Sequence, residues 1–154
     1  MEISLHGAPA DELDAATLYR ILRLRVDVFV VEQECPYPEL DGRDLARGTV
    51  HHWAMDGSGD VVATLRLLRD ELPDGDWRYR LGRVCAAPTV RGRGLTGRLM
   101  AAALVEMGER ESVLDAQSHL VGWYSRFGYR VDGEEFIEDG ILHTPMRRSP
   151  SQDR

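Results

Sequence analysis

The chain contains no lysine, and all 19 of its basic residues are arginine. The absence excludes an enzyme that forms a Schiff base through lysine. It also excludes a Walker-type phosphate loop, whose G-K-[ST] ending requires that residue. The net charge is −7, which argues against a general nucleic-acid-binding protein.

Cysteine is scarce, with two residues, Cys35 and Cys85. Two are too few for a disulfide framework, so we expect free thiols. They lack the spacing of metal ligands, and the adjacent His51 and His52 would point to opposite faces of a strand. We therefore predict no metal site.

Long apolar runs are missing, since none approaches the ~20 residues that a membrane span needs. The opening stretch MEISLHGAPADELD has neither the basic nor the apolar region of a signal peptide. We therefore expect a cytoplasmic protein that does not enter a membrane. The 154 residues suit one domain, predicted over residues 1–148, followed by a polar tail over 149–154.

The first half of the chain predicts a helix, a long loop and a hairpin. Residues 11 to about 31 form the helix, with Asp11 as N-cap and with apolar residues at helical spacing, namely Leu18, Leu22, Val26 and Phe29. Residues 32–48 contain two prolines and two glycines, which is typical of a loop. The glycine-rich DGSGD between the runs 50–55 and 61–68 indicates a β-hairpin.

The second half predicts four more strands and two helices. A strand over residues 77–87 ends before Pro88, which cannot donate to a ladder. A helix follows, with one apolar face made of Leu95, Leu99, Ala103 and Met107. We then expect a buried strand over 112–117, a short helix capped by Ser118 and ended by Gly128, and closing strands within 129–136 and 140–148.

Residues 91–100 read RGRGLTGRLM, and three glycines stand where a strand gives way to a helix. A helix N-terminus offers unpaired N–H groups and a positive dipole end, and glycine lets an anion approach them closely. Arg91, Arg93 and Arg98 add positive charge. Taken alone the pattern is equally typical of a turn, and its spacing is not that of the G-x-G-x-x-G dinucleotide fingerprint.

Two separated elements resemble the GNAT acetyltransferase superfamily. RVCAAPTVRGRGLTGRLM is similar to its strand, turn and helix for acyl-coenzyme A, with the motif [QR]-x-x-G-x-[GA] falling on Arg91, Gly94 and Thr96. LDAQSHLVGWYSRFGY resembles the family's later strand and tyrosine helix. Within the superfamily, the stretches LYRILRLRVDVFVVEQECPYPELDGRD, AQSHL and EDGILH are similar to the ElaA-like branch.

Two positions depart from the family pattern. Thr96 stands where glycine or alanine is preferred, and its hydroxyl could either donate to a phosphate oxygen or crowd the pyrophosphate. Gln117 stands where many members carry asparagine near the cofactor arm.

The resemblance implies an α/β (α+β) GNAT fold. Its mixed sheet would have about six to seven strands, a V-shaped split between the two middle strands, and about four flanking helices. The implied function is an N-acetyltransferase that uses acetyl-CoA and releases coenzyme A. The implied cofactor-binding residues are Val84, Cys85, Ala86, Arg91, Gly92, Arg93, Gly94, Leu95, Thr96, Gly97, Arg98, Gln117 and Tyr124.

The implied catalytic residues are Tyr124, Glu32 and His119. Tyr124 matches the family's general acid, although it could also pack as helix core with Trp123 and Phe127. The family has no universal base, so Glu32 is our first candidate, His119 the second, and Glu138 with Asp139 come next. Each has a plain structural alternative, as a solvated charge or, for His119, as a helix cap or a core histidine.

The acceptor site is suggested by charge. Acidic residues crowd the loop over 32–44 and the closing stretch EEFIED, so a cationic amine is favoured if both flank the cleft. A solvated acidic face is the alternative. We expect a small-molecule or peptide amine as partner, no nucleic acid, and a monomer or homodimer. The rival functions are a non-catalytic acyl-CoA sensor and, less well supported, a nucleotide-binding protein.

Overall fold

The structure is a computed structural model that describes residues 2–150. Within that range one mixed sheet contains eight strands: β1 (Ile3–Pro9), β2 (Val50–Asp56), β3 (Val61–Glu71), β4 (Trp77–Ala86), β5 (Ser112–Gln117), β6 (Arg130–Val131), β7 (Phe136–Glu138) and β8 (Ile141–Arg148). Three α-helices accompany it: α1 (Ala15–Val26), α2 (Leu95–Met107) and α3 (Val121–Ser125). The predicted fold class, a mixed sheet with flanking helices, is confirmed. The predicted tail lies outside the described residues, apart from Ser149 and Pro150.

The sheet order is β1-β2-β3-β4-β5-β8-β6, and β7 also pairs with β8. Every pairing is antiparallel except that of β4 with β5. The sheet has more strands than predicted, because the N-terminal stretch forms β1 and the stretch 129–136 divides into β6 and the start of β7. Gly133 lies in the break, where a Cβ would come within 3.2 Å of Pro145.

Helix α1 begins three residues later than predicted. Asp14, rather than Asp11, is its N-cap, and the Asp14 carboxylate accepts from the Thr17 amide at 2.7 Å. Residues Ala10–Glu12 form a separate 3₁₀ turn. After Val26 the helix widens into a π-helical segment, Asp27–Glu32, so helical backbone extends to the predicted end near Val31.

The buried face of α1 is also rotated by about one residue from the predicted face. Ile21, Leu24, Arg25 and Val28 are the buried residues. The predicted Leu18, Leu22, Val26 and Phe29 lie along its half-buried border. The pattern missed this face because Arg25, counted as polar, lies at its centre.

Strand β3 lies in the middle of the core, and its residues Val61 to Leu68 are all buried. On one face, Leu65 and Leu67 share a cluster with the four predicted apolar residues of α2, which are all buried. On the other face, a smaller cluster holds Ile21, Leu24 and Val28. Full burial of a leucine stabilises the fold by roughly 1.5–3 kcal/mol, so the two clusters fix both helices on the sheet.

Helix α3 has no side-chain cap, contrary to the prediction for Ser118. Residues Ser118–Leu120 instead form a 3₁₀ turn, and the Ser118 hydroxyl shares a hydrogen bond of 2.7 Å with Thr144. Gly128 follows the helix with a φ of +91°, a conformation that favours glycine. No helix within residues 2–150 is long and apolar enough to cross a membrane.

Strands β4 and β5 pair only at their beginnings. The register joins Tyr79 to Ser112 and Arg80 to Val113, and goes no further. Beyond Arg80 the two strands diverge, and β5 is bound on its other side by β8. The V-shaped gap opens between the middle strands, as expected.

Candidate active site

A cleft of about 940 Å³ occupies the gap between β4 and β5. The π-helical segment and the loop after it form one wall, and the β7–β8 hairpin contributes to the rim. Ten residues singled out from the sequence line it: Glu32, Val84, Cys85, Ala86, Arg91, Gln117, His119, Tyr124, Glu138 and Asp139. The fold therefore brings to one cavity residues from the π-helical segment, from β4 and the turn after it, from β5 and the turn after it, from α3 and from the β7–β8 turn.

The glycine-rich turn leads from β4 into α2. Gly92 and Gly94 have φ angles of +80° and +73°, which side-chain-bearing residues rarely adopt. A Cβ added to either would meet nothing within 4 Å, so the space above them is open. Gly97 differs, because a Cβ there would make an ordinary contact with Phe127 at 3.9 Å.

Helix α2 begins at Leu95 without a side-chain cap. Its first backbone N–H groups, from Leu95 to Gly97, have no partner inside the helix. Arg93 and Arg98 are exposed and form no ion pair with the described residues. Open space, free N–H groups and two available guanidinium groups fit a phosphate-bearing group, whereas Thr96 is half-buried in the first turn.

Arg91 is engaged with the protein itself. Its two terminal nitrogens donate to the two carboxylate oxygens of Glu32, both at 2.6 Å, and its Nε donates to the Ala86 carbonyl at 3.0 Å. The hydrogen bond and charge of Arg91 lower the pKa of Glu32. The first predicted base and the first residue of the predicted phosphate motif are therefore partners.

Tyr124 lies between the cleft and the core. Its ring packs edge-on against Trp123, with centroids 4.9 Å apart, and Trp123 packs in turn on Phe127. The packing alternative from the sequence is confirmed, and it is compatible with the acid role because Tyr124 also lines the cleft. Burial, and to a lesser extent neighbouring Tyr129 and Cys85, raises the Tyr124 pKa, so the phenol stays protonated.

Cys85 is buried beside Tyr124, and burial raises the pKa of its thiol to about 12. The neutral thiol is a poor nucleophile, so Cys85 serves as apolar lining. Cys35 is also buried and free, and its thiol donates to the Asp139 carbonyl at 3.4 Å. No group of three or more potential metal ligands is clustered among the described residues.

The remaining candidates lie at the cleft rim. His119 is exposed in the turn that follows β5. The Gln117 side chain donates to Gln33 at 3.4 Å across the gap. Glu138 and Asp139 are exposed at the β7–β8 turn, and neither forms an ion pair with the described residues.

The acidic loop does not serve as the predicted negative wall. Glu39 and Asp44 are buried, which also contradicts a solvated acidic face for these two residues. Three arginines neutralise Glu39, Asp41 and Asp44 of the loop. Arg25 pairs with Glu39 and Asp44, Arg66 pairs with Asp41 and Asp44, and Arg83 pairs with Glu39 and Asp41. The uncompensated acidic charge at the cleft lies on the β7–β8 turn instead.

Sequence reasoning missed these three arginines. Arg25 and Arg66 interrupt apolar stretches of α1 and β3, and both are buried in the structure. A basic residue on a buried face needs an acidic partner, and the acid-rich loop was the available source. For Arg83 the sequence carries no comparable signal.

The protein-family comparison matches residues 25–150 to the acetyltransferase (GNAT) domain. A UPF0039 protein of Mycobacterium tuberculosis is 49% identical over 98% of this chain and 96% of its own length. The crystal structure of Escherichia coli ElaA has a TM-score of 0.87 at 33% identity, covering 96% of this chain and 100% of that one. An acyl-CoA N-acyltransferase structure from Pseudomonas aeruginosa has a TM-score of 0.87 at 38% identity, with the same coverage.

Proposed function

The chain belongs to the GNAT acetyltransferase family, and on that premise we propose that it transfers an acetyl group from acetyl-CoA to an amine. The observation that carries the proposal is the divergence of β4 from β5. It leaves the backbone edge of Val84–Ala86 without a β5 partner, along a cleft that Tyr124 also lines. The non-catalytic sensor would need the same cleft but no proton donor in it.

In this proposal the turn from Gly92 to Arg98 holds the phosphates of the cofactor. The N–H groups of the first turn of α2 donate to phosphate oxygens, and Arg93 and Arg98 neutralise their charge. The Thr96 hydroxyl is a further donor there. The edge of Val84–Ala86 that lacks a β5 partner holds the pantetheine arm, next to the Ala86 carbonyl that accepts from Arg91. Gln117 borders that arm from β5.

Bound acetyl-CoA supplies an acetyl group activated as a thioester. Tyr124 holds a proton at its hydroxyl and donates it to the leaving sulfur. Burial raises its pKa, so the phenol carries the proton near neutral pH. An N–H group near Ala86 polarises the thioester carbonyl.

The acceptor amine must lose a proton before it attacks. Glu32 remains a candidate base, but its ion pair with Arg91 lowers its pKa and makes it a weaker proton acceptor. His119 is exposed at the rim and forms no hydrogen bond with the described residues, so we favour it as the base.

The acceptor is proposed to be a cationic small-molecule or peptide amine. The supporting observation is that Glu138 and Asp139 border the cleft without arginine partners among the described residues. Their charge would attract an ammonium group toward His119. Cytoplasmic location and a monomeric or homodimeric state remain predictions.

The test is acetyl-CoA binding by calorimetry, with NAD and ATP as controls, followed by release of free thiol against a panel of amines. Binding of acetyl-CoA alone, with thiol release on at least one amine, is the expected result. Binding with no release across the panel would favour the sensor. No binding of acetyl-CoA would contradict the proposal.

A further inference from the structure

Strand β4 carries a bulge at the point where it leaves β5. Its register with β3 joins Gly82 to Arg66 and Cys85 to Thr64, so Leu65 faces two residues, Arg83 and Val84. Arg83 has a φ of +54°, in the left-handed region that favours glycine. The bulge therefore needs support from outside the strand.

The bulge also changes which side chains face the core. Before it, Tyr79 and Leu81 pack in the cluster that contains α2. After it, Val84 and Ala86 pack there instead, and Cys85 joins the cluster around α1. The extra residue thus changes by one position which side chains of β4 point toward each cluster. The orientation of Val84–Ala86, the segment proposed to bind the cofactor arm, depends on that change.

Support for the bulge comes from the Arg83 side chain. Its Nε donates to the Glu39 carboxylate at 2.8 Å, and a terminal nitrogen lies 3.3 Å from the Glu39 carbonyl oxygen. The same nitrogen lies 3.5 Å from Asp41, and the guanidinium stands over the Tyr37 ring, 5.7 Å from its centroid. Glu39 is itself buried and held by Arg25 at 2.6 Å and by the Tyr37 hydroxyl.

These contacts belong to a closed ring of six alternating charges, which we call the arginine–carboxylate ring. Its members, in order around the ring, are Arg25, Glu39, Arg83, Asp41, Arg66 and Asp44, with Asp44 returning to Arg25. The cations lie on α1, β3 and the β4 bulge, and the anions all lie on the loop between α1 and β2. One loop therefore ties the bulge to both neighbouring elements.

We infer that Glu39 and Arg83 are positioning residues, which hold Val84–Ala86 in the backbone conformation that receives the acyl-CoA arm. The inference rests on the proposed function. It assigns to the acidic loop a role in cofactor binding rather than in recognition of the amine. Neither residue touches the reacting atoms in this role.

The test compares Glu39→Gln and Arg83→Gly with Asp70→Asn. Glu39→Gln keeps the shape and removes the charge, whereas Arg83→Gly suits the positive φ but removes the tether. Asp70 is the matched control, because it is half-buried and bridges Arg43 and Arg80 yet lies outside the ring. We expect both ring variants to raise the Kd and KM for acetyl-CoA by roughly tenfold or more, because binding must then order the segment.

Three further readouts make the result decisive. The KM for the amine should change less than about twofold in the ring variants, and amide hydrogen exchange should accelerate at residues 84–86. Asp70→Asn should lower the melting temperature without changing the acetyl-CoA Kd. If the wild-type protein binds acetyl-CoA and both ring variants bind it with the same Kd, the positioning role alone is overturned. If the wild-type protein binds no acetyl-CoA, the proposed function and this role are overturned together.

Discussion

Arg91 and Glu32 form a bidentate ion pair that connects the end of the π-helical segment to the start of the glycine-rich turn, with both N–O distances 2.6 Å. The pair links two functions that the sequence suggests separately. A guanidinium held by a carboxylate is less available to a phosphate, and a carboxylate held by a guanidinium takes up a proton less readily. Glu32 therefore limits phosphate binding by Arg91, and Arg91 limits proton uptake by Glu32.

The pair leads to a prediction that separates the two candidate bases. In Glu32→Gln, Arg91 is released, and the Kd for acetyl-CoA should fall by up to about fivefold, since a half-exposed pair is worth at most ~1 kcal/mol. Turnover should stay within about tenfold of wild type. In His119→Gln, kcat should fall by about 10² or more.

Steady-state kinetics from pH 5 to 9 and calorimetry provide the measurement. Asp76→Asn is the control for Glu32, because Asp76 is an exposed acid paired with Arg110 away from the cleft. His6→Gln is the control for His119, since His6 is exposed on β1. If Glu32→Gln loses turnover and His119→Gln keeps it, Glu32 is the base and the proposed role of His119 is wrong.

The regular parts of the fold were predictable because their patterns are strong. Leu95, Leu99, Ala103 and Met107 recur cleanly at helical spacing, and all four are buried in α2. The hairpin of β2 and β3 follows from a glycine-rich turn between apolar runs. Where periodicity and turn chemistry agree, local sequence determines the element.

The failures occur where tertiary contacts override local pattern. A buried arginine rotates the core face of α1, because Arg25 finds its carboxylate partners in a distant loop. No pattern in the neighbouring sequence indicates the bulge at Arg83. Its positive φ is supported by contacts with Glu39 and Asp41, which are more than 40 residues away in the chain. The candidate site residues were predicted through two separated motifs, and their roles stay predictions. The ion pairs of these residues depend on side-chain geometry that a sequence does not display.

The arginine–carboxylate ring predicts a loss of stability in acid. Burial alone would raise the pKa of Asp41 and Asp44, but hydrogen bonds and charges from Arg66 and Arg25 reverse the effect and lower both values. The folded-state pKa values thus lie below the unfolded value of about 3.9. The stabilisation is fully present above that pH and is lost as the pH falls through the lower, folded values.

Urea unfolding at a series of pH values is the measurement. We expect the free energy of unfolding to fall by ~2 kcal/mol or more between pH 5 and pH 2. Adding 0.5 M salt should change the size of this fall only slightly, because salt screens largely buried ion pairs weakly. Asp44→Asn should be less stable at neutral pH and should show a shallower acid dependence. A wild-type free energy that is constant down to pH 2 would contradict the ring's contribution.

Gly94 provides a direct test of the phosphate assignment. Gly94→Glu should abolish acetyl-CoA binding, because the new carboxylate would occupy open space at the start of α2 and repel the phosphates. The positive φ adds a conformational cost of ~1–2 kcal/mol for any side chain. Calorimetry with acetyl-CoA is the measurement.

The matched control is Gly75→Glu. Gly75 also has a positive φ and open surroundings, but it lies in the β3–β4 turn, at the other end of β4 from the cofactor segment. Its variant should suffer a similar loss of stability and keep wild-type affinity. Equal affinity in both variants would remove the phosphate site from this turn.

A comparison of Tyr124 with Tyr129 distinguishes a catalytic role from a packing role. Both phenols are buried, but the Tyr124 hydroxyl forms no hydrogen bond with the described residues, while that of Tyr129 shares one of 2.7 Å with Ser112. Tyr124→Phe should therefore lower kcat by about 10² or more and leave the acetyl-CoA Kd and the melting temperature nearly unchanged. Tyr129→Phe should do the reverse, costing ~1 kcal/mol of stability with normal turnover.

Thiol-release kinetics, calorimetry and thermal unfolding on the two variants together make the comparison decisive. A Tyr124→Phe protein that loses stability and affinity in the same proportion as turnover would identify Tyr124 as core alone. Retained turnover would transfer the proton-donor role to water or to another group at the cleft. We expect a selective fall in kcat for Tyr124→Phe. Both variants lose one buried hydroxyl, but that of Tyr124 borders the cleft, whereas that of Tyr129 is hydrogen-bonded inside the core.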